Sequence, residues 1–390
     1  MRTQVAIVGA GPAGLLLGHI LQRAGIDFVI LEQKPLEYVL GRIRAGVLEQ
    51  GSVDVLRELG LDADLRDHGL THHGIYLQFE GQRHHIDFVD LVGRTVSVYG
   101  QQALVRHLVA EHERLGSDVR FEVADVSPQG VDTASPVVTG LHNGEEIRVE
   151  CDFVVGADGY HGVCRPTIPN IRSLERGYPY AWLGILADVA PSTDDLIYAL
   201  HPEGFAMHSM RSLEVSRLYL QVDPGESIDA WSDERIWEQL QLRLGVDGWT
   251  LNEGTITEKS ITPMRSFVAS TLEHGRLFLA GDAGHIVPPT GAKGLNSAIA
   301  DVALLGRSLA ARYQGDESLL KRYSGDALTR QWKVQQFSQW MTEMLHVHRD
   351  TPDETTRAFR YQSQIGQLEY TVNSRNAQAA LAEQYAGLPF

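Results

Sequence analysis

"QVAIVGAGPAGLLLGHILQRAGIDFVILEQ", residues 4–33, reads as strand, glycine-rich turn, helix, strand. The apolar run before Gly9 is short and ends at a turn signal, which suits a buried strand. Leu15, Leu16, Ile20 and Leu21 recur at helical spacing, and the helix stops near Gly25. Between strand and helix stands G-x-G-x-x-G: Gly9 permits the tight turn, Gly11 lets a pyrophosphate approach, and Gly14 lets helix and strand pack closely. The helix N-terminus offers amide donors and positive potential to the phosphates. Glu32 ends the second strand, at the offset where a carboxylate accepts bonds from ribose hydroxyls.

Working outward, "AGVLEQGSVDVLRELG" and "QALVRHLVAEHERLG" are amphipathic helices, and "GIYLQF", "HHIDF", "RTVSVYG", "VRFEVA", "EIRVE" and "DFVVGADG" are strands. From about residue 173 to 263 the texture changes to "WLGILADV", "LIYAL", "FAMHSM", "VSRLYLQV" and "GTITEKSI", which predicts an antiparallel sheet interrupted by the helix "DERIWEQLQLRLG". Strand, loop and helix return from Arg276, and the end is helical at about 294–312, 316–348 and 353–383. The expected fold is α/β: a G-x-G-x-x-G (Rossmann-like) nucleotide domain over 1–175, completed by about 270–300, an inserted antiparallel-sheet domain over 176–269, and a helical C-terminal region over 294–390.

The chain has 390 residues and a net charge of −16, which argues against nucleic acid or an acidic membrane surface as the main partner. Two cysteines, Cys151 and Cys164, are too few for a disulfide framework, and the start runs straight into a strand, so a cytoplasmic setting is expected. The run "AGLLLGHIL" is too short to span a bilayer. The pairs His72-His73 and His84-His85 invite a metal reading, but adjacent strand residues point to opposite faces and do not chelate together; no metal is expected.

Two later stretches bear on which dinucleotide binds. "DFVVGADGYHGVCR" places Asp158-Gly159 after an apolar strand, and "RLFLAGDAGHIVPPTGAKG" places Asp282 at a strand end. G-x-G-x-x-G, then Asp-Gly, then Gly-Asp in this order resembles the flavoprotein aromatic hydroxylases, the single-component FAD-dependent monooxygenases. "GRIRAGVLEQG" (41–51), "LIYALHPEGFAMHS" (196–209), "GDAGHIVPPTGAKGLN" (281–296) and "EQYAGLPF" (383–390) carry the resemblance from Thr3 to the last residue. It implies FAD, O2 and NADPH or NADH, a phenolic benzoate as substrate (4-hydroxybenzoate), hydroxylation of the substrate phenolate through a flavin C4a-hydroperoxide, and a homodimer.

The residues suit that chemistry. A benzoate needs a carboxylate grip, and Arg211 can give a two-pronged, charge-assisted one, with Ser209 and Tyr219 hydroxyls beside it. A phenol titrates near pH ~10, so its anion must be stabilised. The resemblance assigns this to Tyr198, with Tyr385 behind it and His72 linking the chain to solvent; hydroxyls give and accept protons, and His titrates near neutrality. It places the Pro289 carbonyl near the substrate hydroxyl, makes Lys293 a source of positive field, and puts the helix beginning near Gly294 at the flavin's developing negative charge. FAD contacts are implied at Gly9, Gly11, Gly14, Glu32, Arg42, Arg44, Val47, Gln101, Asp158, Asp282, Leu295 and Asn296. Contacts to NAD(P)H are implied at Gln33, Lys34, Tyr38, Arg44, His161, Arg165 and Arg265. Gln33 stands where NADPH-selective relatives favour Arg, which leans towards NADH being accepted, although Lys34 could meet a 2′-phosphate. Three alternatives stay open: a hydroxylase of another hydroxybenzoate, an FAD reductase that inserts no oxygen, and a flavin-free carrier like the GDP-dissociation inhibitors.

Overall fold

A computed structural model describes residues 1–42, 46–350 and 353–389. Val5–Val8 and Phe28–Leu31 form the expected parallel pair, in register from Val5 opposite Phe28 to Val8 opposite Leu31, joined by the helix Pro12–Arg23. They sit inside a six-stranded sheet ordered Glu273–His274, Leu277–Leu279, Phe153–Gly156, Val5–Val8, Phe28–Leu31, Val119–Arg120. Its central strands are buried along their whole length, which is why they read as unbroken apolar runs rather than alternating ones. The chain leaves this sheet after Gly156 and rejoins it at Glu273, with Leu277–Leu279 beside the strand it left, so everything between is an insertion.

Within the insertion, Ser173–Asp188, Leu196–Ala199, Ala206–Met210, Val215–Val222 and Thr255–Ala269 pair antiparallel, as their alternation predicts. Two earlier strands, Gly74–Phe79 and Gln82–Asp87, extend the sheet, the first running parallel to Leu196–Ala199. His285–Ile286 closes the other edge against Phe267–Val268. Pairing between segments so far apart in the chain leaves no local signal, and this eight-stranded assembly is not legible in the sequence.

Side chains of a strand alternate between its two faces. Ile197, Ala199, Leu218 and Leu220 face the helix Asp233–Leu244, packing on Ile236, Leu240 and Leu244. Tyr198, Met207 and Tyr219 therefore face the other way, into a cluster with Phe337, Met341, Leu381 and Tyr385 from the C-terminal helices. Those helices are Gly294–Tyr313, Tyr323–Leu345, Glu354–Asn373 and Arg375–Ala386. The stretch read as one helix over about 353–383 is two, because Ser374 is extended (φ −111°, ψ 112°) and its hydroxyl accepts the Ala377 amide to cap the second. Among the described residues no helix is long and apolar enough to cross a membrane.

One contact beneath the nucleotide turn has a pH consequence. His19 and His112 stack at 3.7 Å, and each ring Nε2–H donates to a carbonyl of the opposite helix, at 3.0 Å to Leu108 and 2.8 Å to Leu15. Burial, reinforced by His112, pushes His19 down to about 4, and burial lowers His112 too. Unfolded histidine binds its proton near pH ~6.5, whereas folded His19 does so only near 4, so stability falls as pH drops through that window. His19 alone should cost about 3 kcal/mol by the low end. Urea midpoints between pH 6.5 and 4.5 should therefore decline more steeply for the wild type than for His19→Gln; parallel slopes would refute this.

Candidate active site

The glycine turn is built as its sequence requires. Gly9 has φ +107°, and a Cβ on it would stand 2.4 Å from the Ala157 carbonyl oxygen; one on Gly14 would stand 2.0 Å from that of Gly9. A Cβ on Gly11 would meet nothing within 4 Å, so this face of the turn is open. Gly11 begins the helix without a side-chain cap, leaving the first amides available to an anion. The Glu32 carboxylate is held by the Ala10 and Lys34 amides, each at 2.8 Å, and keeps lone pairs for further donors. Gln101 likewise opens the uncapped helix Gln101–Leu115.

"AGDAGHIVPPTGAKG" wraps the far end. Asp282 is exposed in the short helix Gly281–Ala283, and Gly281 adopts φ +62°. The loop is pinned from behind by Asp301, whose Oδ2 accepts the Gly281 amide at 2.8 Å and faces His285 Nε2 at 2.6 Å. Burial opposes charge on His285, but Asp301 outweighs it and raises its pKa. Pro289 is exposed, and its carbonyl accepts the Ala292 amide at 2.9 Å. Ala292 is left-handed at φ +54°, and the helix Gly294–Tyr313 starts two residues later, with Leu295 half-buried in its first turn. Asn296 is engaged throughout: its Oδ1 accepts from the Glu49 amide and Ser52 hydroxyl, and its Nδ2 donates to the Val47 and Ala292 carbonyls. Asp158 is held by the Cys164 amide at 2.8 Å, its Oδ1 is buried without a partner, and burial raises its pKa.

Lys293 is buried, and its ammonium donates to Glu49 at 2.5 Å and to the carbonyls of Gln384 and Tyr385 at 2.6 and 2.9 Å. The positive charge expected from Lys293 is thus balanced by Glu49, and burial lowers the lysine's pKa against the pull of that carboxylate. Glu49, which sequence reasoning did not single out, also lies 3.6 Å from Arg330.

On the sheet, Tyr198 is in register with Met207, and Met207 with Tyr219. One pleat along, Ser209 is opposite Arg217. Two strand spacings are about 10 Å, so Tyr198 and Tyr219 stand on one face of the sheet, on either side of Met207. At the Tyr198 end the hydroxyl lies 2.7 Å from Tyr385 Oη and 3.0 Å from the Thr290 carbonyl. Burial pushes both tyrosines well above their usual range, so both stay protonated. At the other end the Tyr219 hydroxyl accepts from Arg217 Nε, and Arg217 Nη1 is buried without a partner. Arg211 lies just past the strand Ala206–Met210 and donates to Gln102 Oε1 at 3.3 Å. Burial and the like charge of Arg217 both lower its pKa. Two guanidiniums held together in a half-buried site are the electrostatics of an anion-binding site. Arg217, two residues before Tyr219 on the same face of "VSRLYLQV", was findable by strand alternation.

His72 ends the strand Leu70–His72 and is fully buried, with both ring nitrogens unpartnered, so it is not itself open to solvent. Burial pushes it down to about 4 against the attraction of Asp195.

The residues read as coenzyme contacts follow the two strands that flank Val5–Val8. Gln33, Lys34 and Tyr38 are exposed after Phe28–Leu31, with Lys34 Nζ 5.7 Å from the Tyr38 ring centre, and Arg42, read as an FAD contact, is exposed just beyond them. Beyond Phe153–Gly156, His161, Arg165 and Arg265 gather on Tyr160, which the sequence reading passed over; the two guanidiniums lie 4.7 and 3.7 Å from its ring centre. Arg44 lies outside the described residues.

Open glycine face, uncapped helix ends, the oriented Glu32 carboxylate and exposed Asp282 fit FAD, and they define a flavin-binding protein with a cluster of tyrosines and arginines on its inserted sheet. A family model described as "FAD binding domain" matches residues 2–338. The chain belongs to the FAD-dependent aromatic hydroxylases. It is 46% identical to the p-hydroxybenzoate hydroxylase of Acinetobacter baylyi, covering 100% of this chain and 96% of that one. It is 25% identical to 3-amino-4-hydroxybenzoate 2-monooxygenase of Streptomyces cremeus over 91% of this chain and 90% of the relative. The fold matches p-nitrophenol 4-monooxygenase of Pseudomonas putida with TM-score 0.81 at 18% identity, covering 100% of both chains.

Proposed function

We propose that this chain hydroxylates 4-hydroxybenzoate to 3,4-dihydroxybenzoate in the cytoplasm, consuming O2 and NAD(P)H, as a homodimer. The observation that carries the reading is the hydrogen-bonded Tyr198–Tyr385 pair, on the same face of the sheet as Tyr219 and Arg217, with Arg211 beside them. A para-hydroxybenzoate presents a carboxylate to one end and a phenol to the other.

Gly9, Gly11, Gly14, Glu32, Gln101, Asp158 and Asp282 would hold FAD, which supplies hydride acceptance from NAD(P)H and activation of O2. Arg42, Arg44, Val47, Leu295 and Asn296 complete that set. Arg211, Ser209 and Tyr219 orient the substrate by its carboxylate. Tyr198 donates to the phenolic oxygen and, being protonated itself, stabilises the anion that activates the neighbouring ring carbon. Tyr385 takes up the displaced proton through the 2.7 Å bond and passes it towards His72. Pro289 and its loop close the pocket against water, with Lys293 and Glu49 fixing that loop to the last helix. His161, Arg165 and Arg265, arrayed on Tyr160, and Gln33, Lys34 and Tyr38 receive the coenzyme; uncharged Gln33 favours acceptance of NADH.

Purified protein should show the visible absorption of FAD and oxidise NADH or NADPH rapidly only with 4-hydroxybenzoate, yielding 3,4-dihydroxybenzoate. Protein that cannot be reconstituted with FAD would sink the reading. Turnover of 3-hydroxybenzoate or salicylate instead would move it to a sibling hydroxylase, and oxidation without oxygen incorporation to a reductase.

A further inference from the structure

We infer that Gly100 is a positioning residue for Arg211: the space left by its missing side chain is the socket in which the guanidinium lies. This rests on the reading of Arg211 as the carboxylate grip. A Cβ on Gly100 would stand 2.3 Å from Arg211 Nη1, 2.5 Å from Cζ and 2.6 Å from Nη2. Three atoms at nearly equal distance mean that the flat face of the guanidinium rests on the glycine.

Backbone conformation gives no reason for glycine here. Gly100 has φ −54° and ψ 132°, which any residue adopts, and it is the N-cap of Gln101–Leu115, where Ser, Asp or Asn would stabilise the helix. The main chain also has no room to recede. A Cβ on Gly46 would stand 2.8 Å from the Gly100 Cα and 2.0 Å from the Tyr99 carbonyl oxygen, and the Tyr99 amide donates to the Gly46 carbonyl at 3.0 Å. A side chain at position 100 must therefore displace Arg211, the flexible partner, rather than the backbone. Gln102, two residues on, adds the directional contact by accepting from Nη2 at 3.3 Å. The carboxylate grip, carried by the eight-stranded sheet, is thereby set by the loop that leads into Gln101 and the nucleotide-binding part of the fold.

The test is a double-mutant cycle in the FAD-loaded enzyme with Gly100→Ala, Arg211→Ala and the double variant. Binding of 4-hydroxybenzoate is read by calorimetry, and kcat and KM by product formation. Gly100→Ala should raise Kd and KM about tenfold with kcat little changed, since misplacing a binding group by a fraction of an ångström costs on this order. In the Arg211→Ala background the same substitution should change kcat/KM less than about twofold, because the group it displaces is gone. Wild-type affinity in Gly100→Ala, or an equal loss in both backgrounds, would overturn the inference. A Gly100→Ala protein that fails to fold or to retain FAD would overturn it equally, since the glycine would then serve the backbone. Arg211→Ala binding as tightly as wild type would instead refute the proposed substrate grip.

Discussion

Tyr198→Phe should leave substrate-stimulated oxidation of NAD(P)H largely intact while the rate of 3,4-dihydroxybenzoate formation falls by about 100-fold or more. The change removes one oxygen from a fully buried side chain, so the pocket keeps its shape. On the proposed reading the loss is the donor to the substrate's phenolic oxygen, together with the hydroxyl's bonds to Tyr385 at 2.7 Å and to the Thr290 carbonyl at 3.0 Å. A phenol that titrates near pH ~10 is then neutral at working pH, and a neutral phenol is a poor partner for electrophilic oxygen. Raising the pH towards the phenol's own range should restore part of the rate, because solvent hydroxide then does what the tyrosine did. Product formed per coenzyme oxidised is the measurement, and an equal fall in both steps would remove Tyr198 from the proposed role.

Arg211→Ala should raise the KM for 4-hydroxybenzoate by about 100- to 1000-fold, the equivalent of about 3–4 kcal/mol for a two-pronged, charge-assisted contact in a half-buried site. Arg217 remains, but with its Nε committed to Tyr219 it cannot offer an Nε–Nη fork to the carboxylate. Arg211→Lys should recover only part of the loss, since a point charge lacks the fork. Removing Arg211 also relieves its repulsion with Arg217, so the empty protein should be no less stable than wild type. Saturation kinetics together with thermal melting test both halves; a KM within threefold of wild type would place the carboxylate elsewhere.

The site divides by how far apart its parts lie in the chain. Gly9, Gly11, Gly14 and Glu32 fall within one strand–turn–helix–strand unit, and each can be read from its neighbours because the turn that needs them is local. Tyr198 is different. "LIYAL" looks like any core strand, and nothing near it marks Tyr385, 187 residues on, as its partner. The balance of Lys293 by Glu49 crosses 244 residues, and burial, which makes that pairing matter, is a property of the packed loop and last helix. Gly100 gave no sign at all, because its reason is a guanidinium from another sheet.

By itself the sequence determined the strand and helix periods and the glycine turn, and through the resemblance its motifs carry it pointed to the class of chemistry. The periods and the turn follow from backbone geometry and local spacing, which a chain carries wherever it folds. Only the tertiary structure decided that Gly74–Asp87 joins the inserted sheet and that Arg211 rests on Gly100 beside Arg217, and it brings Tyr198 and Tyr385, paired in the sequence only through resemblance, to 2.7 Å. Those depend on register and on the exclusion of water, and both exist only once distant segments have packed.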